Sequence, residues 1–282
     1  VAAASPIDPP IVDAHAHIFT QDAPTAATAW TRLGYGYSAE QYLAELDAHG
    51  IHFGVISGIS IFGYYNDYMI GELRRHRRLR GTAILPPTAD RYTLERMRDD
   101  GIVGVRLQIT RLAELPDIDS EEWRLFLRRV RDLDWHVHVA LEGEKTAPFM
   151  ARLAATGVKV VIDHFGHPLP AAGANCEGFQ AILRAAQNGR TWVKLSSAYR
   201  LHRTPVGEPA DDPRGEAVGA TLAGLLLRDM GPERLLWGSD CPFVGYEGLI
   251  SYQDTLDAFA RWVPDPAARR AISDTALELY FS

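Results

Sequence analysis

Cysteine is scarce in this 282-residue chain. Only Cys176 and Cys241 occur, too few for a disulfide framework and in keeping with a reducing compartment. Cys241 follows Asp240, but no helper histidine stands nearby in sequence, so it reads as a small buried residue. No apolar run reaches the length of a membrane helix. The start, Val1-Ala2-Ala3-Ala4-Ser5-Pro6, has no basic segment and no long apolar core, so it is not an intact signal peptide. A chain that begins without Met leaves room for a leader already removed; the expected location is the cytoplasm. Positive charge is also in short supply: 29 Lys and Arg against 36 Asp and Glu give a formal net charge of -7. That balance speaks against a nucleic-acid or anionic-membrane partner. The one basic run, Arg74-Arg75-His76-Arg77-Arg78, is short and reads as the solvated end of a helix.

Against these absences, eight short apolar, β-branched runs are present. They cover Ile11–Ile18, Phe53–Ser60, Leu79–Leu85, Ile102–Ile109, Trp135–Leu141, Val158–Phe165, Thr191–Ser197 and Leu235–Ser239. The stretches between them suit helices: 39–50, 65–78, 94–101, 120–134, 146–157, 178–189 and 216–231. Glycines 50, 101, 157, 189 and 231 stand where helix C-caps are expected, and Ser120 before Glu121 and Glu122 suits a helix start. Eight strand–helix repeats predict a (β/α)₈ barrel, one domain over 1–282 with residues 1–10 as an extension. An open doubly wound sheet is the rival, but no Gly-rich dinucleotide fingerprint follows the first strand. Two long loops, Thr20–Ser38 and Ala198–Arg214, follow strand ends on the face where barrel active sites are built.

Polar residues cluster at those same ends. His15 and His17, two apart on the first strand, point to one face. Two imidazoles held this way can chelate a metal or polarise a carbonyl oxygen. His164 ends the sixth strand and Asp240 the eighth. Barrel closure would bring the three histidines and the carboxylate to one mouth. Each alone has an ordinary structural explanation; their convergence is what points to chemistry.

The segments Val12-Asp13-Ala14-His15-Ala16-His17 with Phe19, Gly104-Val105-Arg106, Asp163-His164-Phe165-Gly166, Val193-Lys194-Leu195-Ser196 with Arg200, and Trp237-Gly238-Ser239-Asp240 resemble the amidohydrolase superfamily. They most resemble the branch of TIM-barrel hydrolases that includes the pyrone-dicarboxylate lactonases. The resemblance implies that His15, His17 and His164 polarise a substrate carbonyl and that Asp240 is the base activating water. It implies either no cofactor or one divalent ion, zinc or manganese, on His15, His17 and Asp240, with His138 or Glu142 as a further ligand. No lysine stands on the fourth strand, where metal-dependent relatives often carry one, and Lys194 on the seventh is in the wrong place to bridge. Metal-free action is favoured slightly.

Arginines fork onto carboxylates. Arg106 and Arg200 match carboxylate-binding arginines of the resembled branch, and Arg111 matches with a shifted register. His167 stands where that branch has a further arginine, which casts doubt on pyrone dicarboxylate itself and leaves sugar, muconolactone-type and sulfonated lactones open. Tyr199, with Tyr35, Tyr37, Tyr64 and Tyr65, is placed to shape the pocket. His49, His52 and His76 have no supporting pattern, and His202 stays open. The expected activity is hydrolysis of a small anionic lactone. A metal-dependent decarboxylase and a non-catalytic ligand-binding barrel are the alternatives. The expected partner is a small molecule, with neither nucleic acid nor membrane; barrels of this type often form homodimers.

Overall fold

The computed structural model describes residues 10–110, 112, 114–141, 145–168, 173–201 and 215–282. Arg111, Glu142 and His202 lie outside the described residues, as does 202–214 of the second long loop. Eight parallel strands follow chain order: β1 (Val12–Ala16), β2 (Phe53–Ser57), β3 (Leu79–Ala83), β4 (Ile102–Gln108), β5 (His136–Ala140), β6 (Lys159–Ile162), β7 (Thr191–Leu195) and β8 (Leu235–Trp237). Each falls inside an expected apolar run. The ring closes between β8 and β1 through a parallel bridge from Ala16 to Cys241 and backbone bonds from His17 N to Cys241 O and Asp240 N to His15 O. The fold is the expected (β/α)₈ barrel.

Helices α1 (Ala39–Ala48), α2 (Asp67–Arg75), α3 (Arg91–Asp99), α4 (Glu121–Asp132), α5 (Thr146–Ala155), α6 (Glu177–Ala186) and α7 (Glu216–Met230) follow the first seven strands in turn. Side chains satisfy their free N–H groups where expected: Ser38 and Gln41 form a capping box on α1, and Ser120 caps α4. Two further helices, α8 (Tyr252–Trp262) and α9 (Pro266–Phe281), lie beyond the expected set. Helix α9 seals the barrel floor, its Ala276 and Tyr280 packed on Val12, Ala14, Val55, Val161, Trp192 and Leu236. Among the described residues no helix is long and apolar enough to cross a membrane.

Two residues further along the same strands, the interior changes character. Val55 gives way to Ser57, Val161 to Asp163 and Trp192 to Lys194, all buried. A hydrophobic floor therefore carries a polar storey, the layering that a filled barrel permits. Strand β1 enters that storey through an irregularity: its register with β2 shifts between Asp13 and Ala16. One extra residue breaks strict alternation. Asp13 consequently faces outward to Ser239 and Tyr252 of α8, while His15 faces Lys194 inside.

Gly238 makes the β1–β8 seam possible. A Cβ there would stand 2.6 Å from His15 Cβ and 2.8 Å from His15 N. Gly238→Ala is expected to push β1 off β8, destabilise the fold by about 1–3 kcal/mol, and displace His15. Urea unfolding of the variant checks this; an unchanged midpoint would show that the seam has slack.

Candidate active site

The mouth of the barrel holds a cavity of about 370 Å³ lined by His17, His164, His167, Arg106, Arg200 and Asp240, with Trp30, Ser60, Gln108, Thr110 and Tyr246 among the remaining wall. The structure thus brings together His15, His17, His164 and Asp240. The rings of His15 and His17 lie 5.0 Å apart, and those of His15 and His164 lie 4.7 Å apart.

Asp240 has two unlike oxygens. Oδ2 accepts hydrogen bonds from Ser197 Oγ at 2.7 Å, Tyr199 Oη at 2.8 Å and Arg200 Nε at 2.8 Å. Oδ1 faces His17 Nε2 at 3.3 Å and His15 Nε2 at 3.5 Å. Burial alone would raise the pKa of this carboxyl; the Arg200 guanidinium and the neighbouring histidines outweigh it and hold the group well below the usual carboxylate range. Asp240 is therefore ionised, with one oxygen saturated and the other turned to the histidines.

The imidazoles differ in what they offer. His17 Nδ1 lies 2.7 Å from the Ser57 carbonyl oxygen. A carbonyl only accepts, so Nδ1 carries a proton there. His164 Nδ1 meets Ser196 Oγ at 2.8 Å. His15 is wholly buried; burial and the charge on Lys194 lower its pKa to about 3. Its Nε2 has no hydrogen-bond partner. His164 is likewise driven well below the ordinary value by burial.

Beneath lies a group whose importance sequence reasoning missed. Asp163, fully buried, pairs with Arg106 through Nη2 at 3.0 Å and with Lys194 Nζ at 3.2 Å, and lies 3.3 Å from His15 Nδ1. Its adjacency to His164 was visible, but its partners come from β1, β4 and β7 and leave no local signal.

Other expected residues are placed as follows. Arg106 is buried, donating to Asp163 and to the Gly58 carbonyl at 2.6 Å, while still reaching the cavity wall. Arg200 clamps Asp240 and the Val244 carbonyl. Tyr199 is buried on Asp240 rather than facing the cavity. His167 lines the cavity. His138 points into the barrel, to Lys194 Nζ at 3.1 Å and Tyr280 Oη at 3.2 Å. It is absent from the ligand sets found among the described residues. The aromatic wall comes from Trp30 and Tyr246, neither foreseen, whereas Tyr35 bonds Glu247 and Tyr37 bonds Cys241. Burial pushes the Cys241 thiol up, which suits its structural role.

His15, His17 and Asp240 offer ligand atoms within 4.8 Å of one another. Two imidazoles and a carboxylate are donors that zinc and manganese accept. The unpartnered Nε2 of His15 fits the same purpose. The residues thus suit a divalent ion by type and spacing.

A family model described as amidohydrolase matches residues 12–281. The chain is 30% identical over 269 residues to a 4-sulfomuconolactone hydrolase of Rhizobium radiobacter, covering 92% of this chain and 86% of that protein. It is 26% identical to a 2-pyrone-4,6-dicarboxylate hydrolase of Comamonas testosteroni, over 96% of this chain and 90% of that one. Among solved structures, a probable 2-pyrone-4,6-dicarboxylic acid hydrolase of Acinetobacter baumannii, with citric acid bound, superposes with a TM-score of 0.88. It is 29% identical, over 96% of this chain and 98% of that one.

Burial lowers the pKa of His15, His136, His138 and His164 alike. Unfolding returns them to about 6.5. Above that value both states are neutral and stability is fully present. As pH falls from 6.5 towards the folded value near 3 of His15, the unfolded chain binds protons that the fold refuses. Each group then removes up to about 1.4 kcal/mol per pH unit. The midpoint of urea unfolding is expected to drop steeply from pH 7 to pH 5. A flat profile would mean that the four rings are not held neutral.

Proposed function

The chain belongs to the amidohydrolase family, and from that premise we propose that it opens the ring of a small anionic lactone by adding water to the ester carbonyl. The observation that carries this reading is the asymmetry of Asp240. Three donors saturate Oδ2, and Oδ1 faces the imidazoles of His17 and His15 at the cavity. A carboxylate so fixed can take a proton in one direction only.

In the proposed step a water oxygen bonds to the lactone carbonyl carbon while its proton passes to Asp240 Oδ1. The carbonyl oxygen gains negative charge, which N–H groups of His15 and His164 stabilise. Collapse re-forms the carbonyl and breaks the ring C–O bond. The leaving oxygen takes the proton back from Asp240, and the new carboxylic acid releases one proton to solvent at neutral pH. A carboxylate of such low pKa is a weak base in the ground state. The attacking water becomes strongly acidic only as its bond to carbon forms, so transfer is favourable at that point.

The anionic substrate follows from the wall, where two guanidiniums and three imidazoles face one carboxylate. Arg106 is largely committed to Asp163 and Gly58. The outer edge of Arg200, together with His167, is the better partner for a carboxylate or sulfonate. A cavity of about 370 Å³ suits a ring of this size. The lactone hydrolases among the relatives support the same class. A divalent ion bound at His15, His17 and Asp240 would supply Lewis-acid polarisation of the carbonyl; the residues' own tasks of holding water, taking its proton and orienting the ring stand as described.

The test is a panel of carboxylated and sulfonated lactones followed at neutral pH by proton release and product chromatography. One proton per ring opened is expected. Asp240→Asn should lower kcat by about 10²–10⁴. Release of carbon dioxide instead, or full turnover by Asp240→Asn, would overturn the reading.

A further inference from the structure

We infer that, when no ion is bound, Lys194 fixes the proton of His15 on Nε2, making this imidazole a hydrogen-bond donor to substrate. This rests on the function proposed above only for its catalytic consequence. The proton's position is a property of the protein alone.

The argument is one of donors and acceptors. Lys194 is wholly buried at the barrel axis. Its Nζ hydrogen-bonds His15 Nδ1 at 2.9 Å and His138 Nδ1 at 3.1 Å, and pairs with Asp163 Oδ1 at 3.2 Å. The carboxylate contact favours the ammonium form, which has three N–H donors and no acceptor. A ring nitrogen that accepts from it carries no proton. Both histidines then carry theirs on Nε2.

The outer partners agree. His138 Nε2 meets Tyr280 Oη at 3.2 Å, an oxygen able to accept. His15 Nε2 points at Asp240 Oδ1, 3.5 Å away, a carboxylate oxygen that can only accept. The competing arrangement has His15 Nδ1–H donating to Asp163 Oδ1. That contact, at 3.3 Å, is longer than the 2.9 Å between Lys194 Nζ and the same Nδ1, and it cannot form while Nδ1 accepts from Lys194.

The two histidines of β1 are thereby made unlike. His17 donates from Nδ1 to the Ser57 carbonyl. His15 accepts at Nδ1 and presents Nε2–H. A divalent ion on His15 Nε2 would have to displace that proton, and with it the hydrogen bond from Lys194. Lys194 is a positioning residue that acts through His15.

The test uses the full chain at pH 7. Proton–nitrogen correlation spectra of ¹⁵N-histidine-labelled protein, with His15 assigned by its loss in His15→Gln, report which ring nitrogen carries hydrogen. Nε2–H is expected. Nδ1–H in the wild type overturns the inference whether or not any lactone is turned over. Absence of turnover with Nε2–H present refutes the proposed function and leaves the inference standing. In Lys194→Met the proton is expected to move to Nδ1, towards Asp163, and zinc affinity measured by calorimetry to rise about tenfold. Lactone turnover should fall about 10²-fold in kcat, with KM little changed, as when one oxyanion donor is lost. A folded Lys194→Met with unchanged His15 proton and zinc affinity overturns the inference. If that variant does not fold, the wild-type spectrum decides.

Discussion

A single buried carboxylate, Asp163, ties the inside of this barrel together. It stands at the end of β6 and gathers Arg106 from β4, Lys194 from β7 and His15 from β1. Taking a charge out of water costs several kcal/mol per ion unless geometry returns it. Here a guanidinium bonds Oδ2 through Nε at 3.0 Å and approaches it through Nη2, while an ammonium approaches Oδ1. Burial alone would raise the pKa of Asp163; Lys194, His15 and Arg106 reverse that and hold it well below the usual range. Removing it would leave two cations stranded in the polar storey, a far larger penalty than losing a surface pair.

The protonation pattern of the site descends from that pairing. With its counter-ion fixed, Lys194 stays in the barrel, although burial lowers its pKa to about 8. Its proximity helps keep His15 and His138 neutral. Neutral imidazoles can donate to a substrate oxygen without repelling the cations that orient an anion. A second, separate charge group, Asp240 with Arg200, completes the mouth. The pairs Asp163–Arg106 and Asp240–Arg200 each spend an arginine on structure that sequence reasoning had assigned to substrate. Those assignments concern the remaining N–H groups only.

The strands, the barrel and the histidine–aspartate set were legible because each depends on local pattern. Apolar runs mark strands, and glycines at helix ends mark caps: Gly157 and Gly231 do adopt φ of +75° and +78°. Convergence of His15, His17, His164 and Asp240 followed from barrel closure alone. What stayed hidden depends on pairing across the barrel. Lys194 looked misplaced because the sequence shows its strand but not the histidine nitrogens two strands away on either side. The shift in β1 register that separates Asp13 from His15 leaves no mark in composition. Helix α9 escaped notice because its buried face is read only against the barrel floor it seals.

Backbone conformation explains how three strand ends deliver so many polar groups to one space. Strict alternation would send neighbouring residues to opposite faces. At the end of β6, His164 has φ +50° directly after Asp163; after β7, Ser197 has φ +53° following Ser196; after β8, Asp240 has φ +66° following Ser239. Each left-handed residue turns the chain so that two consecutive side chains are both used. Asp163 pairs with Arg106 while His164 meets Ser196, and Ser197 and Asp240 bond each other across the gap between β7 and β8. Such conformations cost of order 1–3 kcal/mol each for residues other than glycine. Glycine would remove the cost but carry no functional group. Apart from Asp134, every non-glycine residue of positive φ among those described lies beyond the ends of β6, β7 and β8. Asp134 aside, the strain is therefore confined to the mouth, and the sealed floor and buried ion pairs below it hold those residues in place.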